Sequence, residues 1–101
     1  MINKTKLTES HLESLCYDFK ALSDINRLKI ILFLSGGEQS VNAISQNLNI
    51  GQSATSHHLR ILKDARIVKL RRDANVNYYY IADEHIRSII EMSIEHLDCE
   101  N

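Results

Sequence analysis

Proline and tryptophan are absent, and in 101 residues glycine occurs three times and cysteine twice. With no proline, low-complexity stretch or internal repeat to mark a linker, residues 1–101 are expected to form one domain. No apolar run approaches the roughly 18 residues of a membrane span. The start, Met1-Ile2-Asn3-Lys4, lacks the apolar region of a signal peptide. Both absences predict a cytoplasmic protein with no membrane partner. Cys16 and Cys99 then fit thiols in a reducing compartment better than a structural disulfide. The composition, 44% hydrophobic and 25% charged, excludes disorder. A chain of this size has an adequate but not generous core, which dimerisation would enlarge.

A net charge of −1 and a pI near 6.5 argue against a uniformly basic nucleic-acid coat. The distribution is more informative than the total. Arg60, Lys63, Arg66, Lys69, Arg71 and Arg72 face a single acid, Asp64, within residues 60–72, a local excess of five positive charges. Residues 83–101 hold six acids against Arg87, an excess of five negative charges. The first segment attracts polyanions and the second attracts cations.

Leu12, Leu15, Cys16, Phe19 and Leu22 recur at helical spacing and predict a first helix over 8–22, with Cys16 on its apolar stripe. Ser23-Asp24 can cap a second helix, 25–35, whose run Ile30 to Leu34 is apolar all round and so central. Gly36-Gly37 ends it. Ser40 caps a short helix carrying Val41, Ile44 and Leu48. A turn through Asn49-Ile50-Gly51 leads to a longer helix, 52–65, and this pair is a helix-turn-helix. Strand formers at 67–72 and 77–81 flank the polar tip Asp73-Ala74-Asn75-Val76 and predict a hairpin. Ile86, Ile89, Ile90, Ile94 and Leu97 give a last amphipathic helix, about 84–98. The expected fold is mainly α with a β-hairpin, a winged helix-turn-helix of order α-α-α-α-β-β-α. Its first and last helices are the expected dimer contacts.

On the 52–65 helix, Ser53, Ser56, His57 and Arg60 fall at i, i+3, i+4 and i+7 and form a polar stripe. Ala54, His58, Ile61, Leu62 and Ala65 are expected to turn toward the core. Short polar groups near a helix N-terminus suit a major groove, and Gln52 can read adenine through its amide. Arg71 and Arg72, with Asn75 at the hairpin tip, are expected to reach phosphates or a minor groove. The plain alternative is a solvated surface helix beside a solvated edge strand. Such helix faces usually carry Glu and Lys pairs, and this one has none.

Asp83, His85, His96 and Cys99 are metal-competent donors on the last helix. His85 and His96 would lie about 16 Å apart along it, too far to share an ion in one chain. Two such helices packed antiparallel would bring Asp83 and His85 of one beside His96 and Cys99 of the other, and the two-fold axis would generate a second site. The plain alternative is an N-cap for Asp83, with His96 and Cys99 as a solvated imidazole and a half-buried thiol.

Ala21-Leu22-Ser23-Asp24 with Arg27-Leu28-Lys29-Ile30, then Gln52-Ser53-Ala54-Thr55-Ser56-His57-His58-Leu59, then Asp83-Glu84-His85 with His96 and Cys99 carry a resemblance. The chain resembles the ArsR/SmtB family of dimeric winged-helix repressors, and within it the CzrA-like zinc and cobalt sensors. The resemblance implies an apo-dimer on double-stranded operator DNA that represses metal efflux or detoxification genes. It implies that Zn(II) or Co(II), bound by Asp83 and His85 of one subunit and His96 and Cys99 of the other, releases the DNA. It also implies that His96 reaches the backbone near Arg66. Three departures bear on the expectation. The thiol of Cys99 lets Cd(II) compete. Residues 40–45 hold no cysteine, so a second metal site used by some relatives is expected to be absent. Ala74 stands where glycine is common in the wing.

Four ligands leave no open coordination position, and no general base sits in a cluster with them, so no enzyme and no small organic substrate are expected. The competing reading keeps the repressor and changes the signal to a thiol-based redox or sulfide switch through Cys16 and Cys99. His11 is expected to be solvated and His58 to pack behind the recognition helix.

Overall fold

The structure is a computed structural model that describes residues 6–100. The N-terminal residues read above for targeting lie outside the described residues. Helix α1 (Glu9–Leu22) begins at Thr8, whose hydroxyl accepts the His11 N–H at 3.2 Å while the Thr8 N–H donates to His11 Nδ1 at 3.1 Å. His11 is exposed, as expected, but it also closes this reciprocal cap, which satisfies two N–H groups.

Helix α2 (Ile25–Leu34) is capped by Asp24, whose Oδ1 accepts the N–H groups of Asn26 and Arg27 at 2.9 and 3.0 Å. The Arg27 N–H does most to hold the Asp24 carboxyl below the ordinary Asp range, against the opposing effect of desolvation, with the Arg27 charge adding to it. Asp24→Ala is expected to lower the unfolding free energy by about 1 kcal/mol at pH 7. Because the folded carboxyl titrates below the unfolded one, the difference between variant and parent is full above the ordinary Asp range. It shrinks as acid protonates the folded carboxyl. Urea unfolding from pH 7 to pH 3 checks both.

Strand β1 (Gln39–Ser40) runs into helix α3 (Val41–Leu48), which Ser40 caps through the Ala43 N–H at 3.1 Å and which Asn49 ends in the left-handed region at φ 54°. Helix α4 (Gln52–Asp64) follows, then strands β2 (Val68–Asp73) and β3 (Val76–Ile81) and helix α5 (Glu84–Glu100). The three strands are antiparallel in the order β1-β3-β2. The two-residue β1 was not legible in the sequence, because its length gives no alternation to detect. Asp73 pairs with Val76, so the expected four-residue tip is a two-residue turn. Ala74 and Asn75, at φ 47° and 71°, both occupy the left-handed region, as a type I′ turn requires.

Ile30, Ile31, Leu34, Ile44, Leu59, Leu62, Ile67 and Val68 are fully buried and join α2, the helix-turn-helix and the base of the wing. The run from Ile30 to Leu34 is not enclosed on every side, for Leu32 is 49% exposed. Thr55 lies wholly within this core, and its Oγ1 has no hydrogen-bond partner among the described residues. A buried hydroxyl left unpaired costs about 1–3 kcal/mol. Thr55→Val, similar in shape, is therefore expected to stabilise the chain by about 1 kcal/mol and to raise the melting midpoint by roughly 4–8 °C.

Helices α1 and α5 lie largely outside this core. The Cα radius of gyration, 14.9 Å, exceeds the roughly 13 Å of a compact domain of this length. Leu12, Leu15 and Phe19 on α1, and Met92, Ile94 and Leu97 on α5, are exposed in the single chain. Cys16, on the same stripe of α1, is exposed too. The base of α5 is fixed: Ile90 is buried, and Arg87 Nη1 donates to the Ser35 carbonyl at 2.9 Å, at the C-terminal end of α2. Among the described residues no helix is long and apolar enough to cross a membrane.

Candidate nucleic-acid interface

Gly51 precedes α4 and gives it no side-chain cap, so the first-turn N–H groups face outward. Gln52, Ser53, Ser56, His57 and Arg60 are all exposed on this helix, while Thr55, Leu59 and Leu62 are buried at i, i+4 and i+7. His58 and Ile61 are half-buried and Ala65 is buried, as expected. Ala54, expected to face inward, is exposed. Thr55 takes the inward position, which its polar type disguised in the sequence. The expected polar stripe stands clear of the core.

The wing completes a concave surface. Gln52, Ser56 and Asn75 share a cleft of about 250 Å³ with Ser40, Asn42 and Asn77. These three further residues were missed: Ser40 was readable only as a cap, and the two asparagines carry no spacing signal. Asn77 Oδ1 is buried in the single chain with no partner among the described residues. Donors, acceptors and the open end of α4 thus converge on one groove, suited to phosphates and base edges.

Arg71 is engaged elsewhere. Its Nε and Nη2 donate to the two carboxylate oxygens of Glu38 at 2.8 and 2.7 Å, and its guanidinium lies 4.7 Å from the Tyr78 ring centre. This fork joins the wing to the segment ahead of β1, and it holds the Glu38 carboxyl below the ordinary Glu range. Arg72 and Asn75 are exposed as well, and Arg71 keeps 47% of its side-chain surface open to solvent despite this fork. The basic segment also divides: Lys63, Arg66 and Lys69 line a separate cavity of about 580 Å³ with Tyr80 and Asp83.

At the start of α5, Asp83 Oδ1 accepts the Ile86 N–H at 3.1 Å and lies 3.6 Å from His85 Nδ1. The N-cap role and the proximity to His85 coexist, because a carboxylate has acceptor capacity left after one hydrogen bond. His96 and Cys99 are exposed near the other end of the helix. Among the described residues no group of three or more His, Cys, Asp or Glu side chains converges within the chain. One carboxylate, two imidazoles and a thiol nevertheless fit a tetrahedral divalent ion chemically. Within one chain, His85 and His96 lie too far apart along α5 to share an ion.

Residues 24–69 match the family of bacterial regulatory proteins named arsR. An uncharacterized HTH-type transcriptional regulator of Methanocaldococcus jannaschii is 43% identical over 75 residues, covering 73% of this chain and 84% of that protein. The chain belongs to the ArsR family. A relative named as a cadmium resistance transcriptional regulatory protein, a CadC homolog of Staphylococcus aureus, is 39% identical over 79 residues. That match covers 77% of this chain and 65% of the relative's length. Among solved structures, the homodimeric winged helix-turn-helix DNA-binding domain of a possible ArsR-family regulator from Mycobacterium bovis superimposes with a TM-score of 0.85. It is 27% identical, and the match covers 92% of this chain and 89% of that one. This ArsR-family chain therefore has transcriptional regulators as its relatives, and its fold is the winged helix-turn-helix.

Proposed function

We propose that this ArsR-family protein is a homodimeric, metal-responsive transcriptional repressor. In this reading Gln52, Ser53, Ser56, His57 and Arg60 enter a major groove, while Arg71, Arg72 and Asn75 track the adjacent backbone. The observation that carries the reading is the exposed, acid-free stripe on α4 opening into the same cleft as the wing tip. The apolar stripes of α1 and α5 would be buried between two copies, as in a dimer. Half-sites about one helical turn apart, roughly 34 Å, follow from two such helices.

Asp83 and His85 of one copy, with His96 and Cys99 of the other, would hold Zn(II), Co(II) or Cd(II). A bound ion would supply a link between the two α5 helices. The residues themselves set the logic: the donors sit on the dimer helices and the groove contacts on α4, so ion and operator compete by favouring different subunit arrangements. The donor set has no evident open position for a reacting water, which suits regulation rather than catalysis.

The experiment is selection of duplexes from a random pool by the purified chain, followed by fluorescence anisotropy over a salt series with zinc present or removed. A palindromic site whose affinity falls steeply with salt and drops on adding zinc is the expected result. A chain that selects no duplex would overturn the reading. A second reading rests on the exposure of Cys16 and Cys99 on the two dimer helices. Operator release by peroxide with a chelator present would favour it over the metal.

A further inference from the structure

Helix α1 is fourteen residues long, yet Ala21 alone among them is buried. It meets the rest of the chain through its last turn, and one side chain dominates the polar contacts there. Arg27 Nε donates to the Ala21 carbonyl at 2.7 Å. That carbonyl is among the last four of α1, which lack an intrahelical partner. The same guanidinium places Nη1 3.3 Å from His58 Nδ1, on the inner side of α4. A guanidinium has only donors, so His58 Nδ1 accepts. Asp24 fixes the base of this arm by accepting the Arg27 N–H at 3.0 Å. A cavity of about 140 Å³ lined by Tyr17, Lys20, Ala21, Arg27 and Ile61 lies beside it. Beside this apolar contact of Ile61 with the last turn of α1, the guanidinium supplies a directional polar bridge between α1 and α4.

We propose that Arg27 is a positioning residue: its rigid fork, joining the Ala21 carbonyl to His58, sets the angle between α1 and α4 and thereby the spacing of the two recognition helices. The inference rests on the reading given above, in which α1 belongs to the dimer contact and α4 reads DNA. The planar guanidinium presents its N–H groups at fixed angles, whereas a lysine ammonium swivels on a flexible stem. Each recognition helix is tied through this joint to the dimer contact, so loosening it lets the pair reach more than one separation. The signature is a loss of discrimination between operator spacings while contact with one half-site is unchanged.

The test uses a duplex selected by the wild-type full chain, remade with its centre one base pair longer or shorter, together with a duplex carrying a single half-site. The wild type is expected to bind the altered centres roughly 100-fold more weakly, because simultaneous engagement of both half-sites is lost. Arg27→Lys and His58→Leu are expected to narrow this gap to less than about tenfold, with half-site affinity and dimer mass unchanged. His58→Asn, whose amide oxygen can accept in place of Nδ1, is expected to restore the wild-type gap. Should Arg27→Lys fail to fold, His58→Leu and His58→Asn carry the comparison. Wild-type discrimination retained by His58→Leu would overturn the inference, as would equal weakening on every duplex including the half-site. A wild-type chain that selects no duplex overturns instead the DNA reading beneath it.

Discussion

Leu12→Glu combined with Leu97→Glu is expected to yield a chain that sediments as a monomer and binds its selected operator roughly 100-fold more weakly than the parent. Leu12 is 47% and Leu97 61% exposed in the single chain, so neither substitution opens a cavity in the core around Ile30, Ile31 and Leu59. In a dimer both would be covered, and burying two carboxylates per chain against Phe19, Met92 and Ile94 has no compensating partner. The loss of operator affinity follows from linkage of two half-sites: one winged helix alone gives up the effective concentration that its twin supplies. Analytical ultracentrifugation reads the mass, circular dichroism the helix content, and anisotropy the affinity. A variant that remains dimeric, or a monomer that binds with full affinity, would place the subunit contact elsewhere on the molecule.

Helical periodicity and the turn residues between elements made most of this fold legible. The caps at Asp24 and Ser40 are chemical signals with one local meaning, and both stand where expected. What escaped depends on non-local partners. Strand β1 exists because Gln39 and Ser40 pair with Tyr79 and Tyr78, 40 and 38 residues further along the chain, and nothing in two residues announces that. The ion pair of Arg71 with Glu38 joins residues 33 apart in the chain, so nothing around Arg71 announces it. Thr55 carries a polar side chain at a core position, which defeats any reading based on apolar spacing. The stripe on α4 was legible because its members lie within two turns of one helix. The four candidate donors at and along α5 were legible only as a list, because in the proposed site they would close across two chains.

That dependence on a second chain gives the sharpest expectation. Zinc is expected to weaken operator binding by roughly 5- to 150-fold, and operator to weaken zinc binding by the same factor. Asp83→Asn combined with His85→Ala keeps an oxygen to accept the Ile86 N–H, so α5 retains its cap while the carboxylate and imidazole donors are lost. This variant is expected to bind operator within about threefold of the parent and to ignore zinc. His96→Ala combined with Cys99→Ser, at the far end of the helix, is expected to do the same. Mixing the two variants discriminates between donors shared across subunits and donors gathered in one. In a mixed dimer of the proposed arrangement, Asp83 and His85 of one chain would face His96 and Cys99 of the other, so one of the two sites would be whole although neither chain holds four donors. Zinc-dependent release should therefore return in the mixed dimer and in neither parent variant. With cobalt in place of zinc, the thiolate absorption of Cys99 should return along with it. Failure of the mixed dimer to respond, where wild type responds, would mean that the four residues do not act across the subunit boundary.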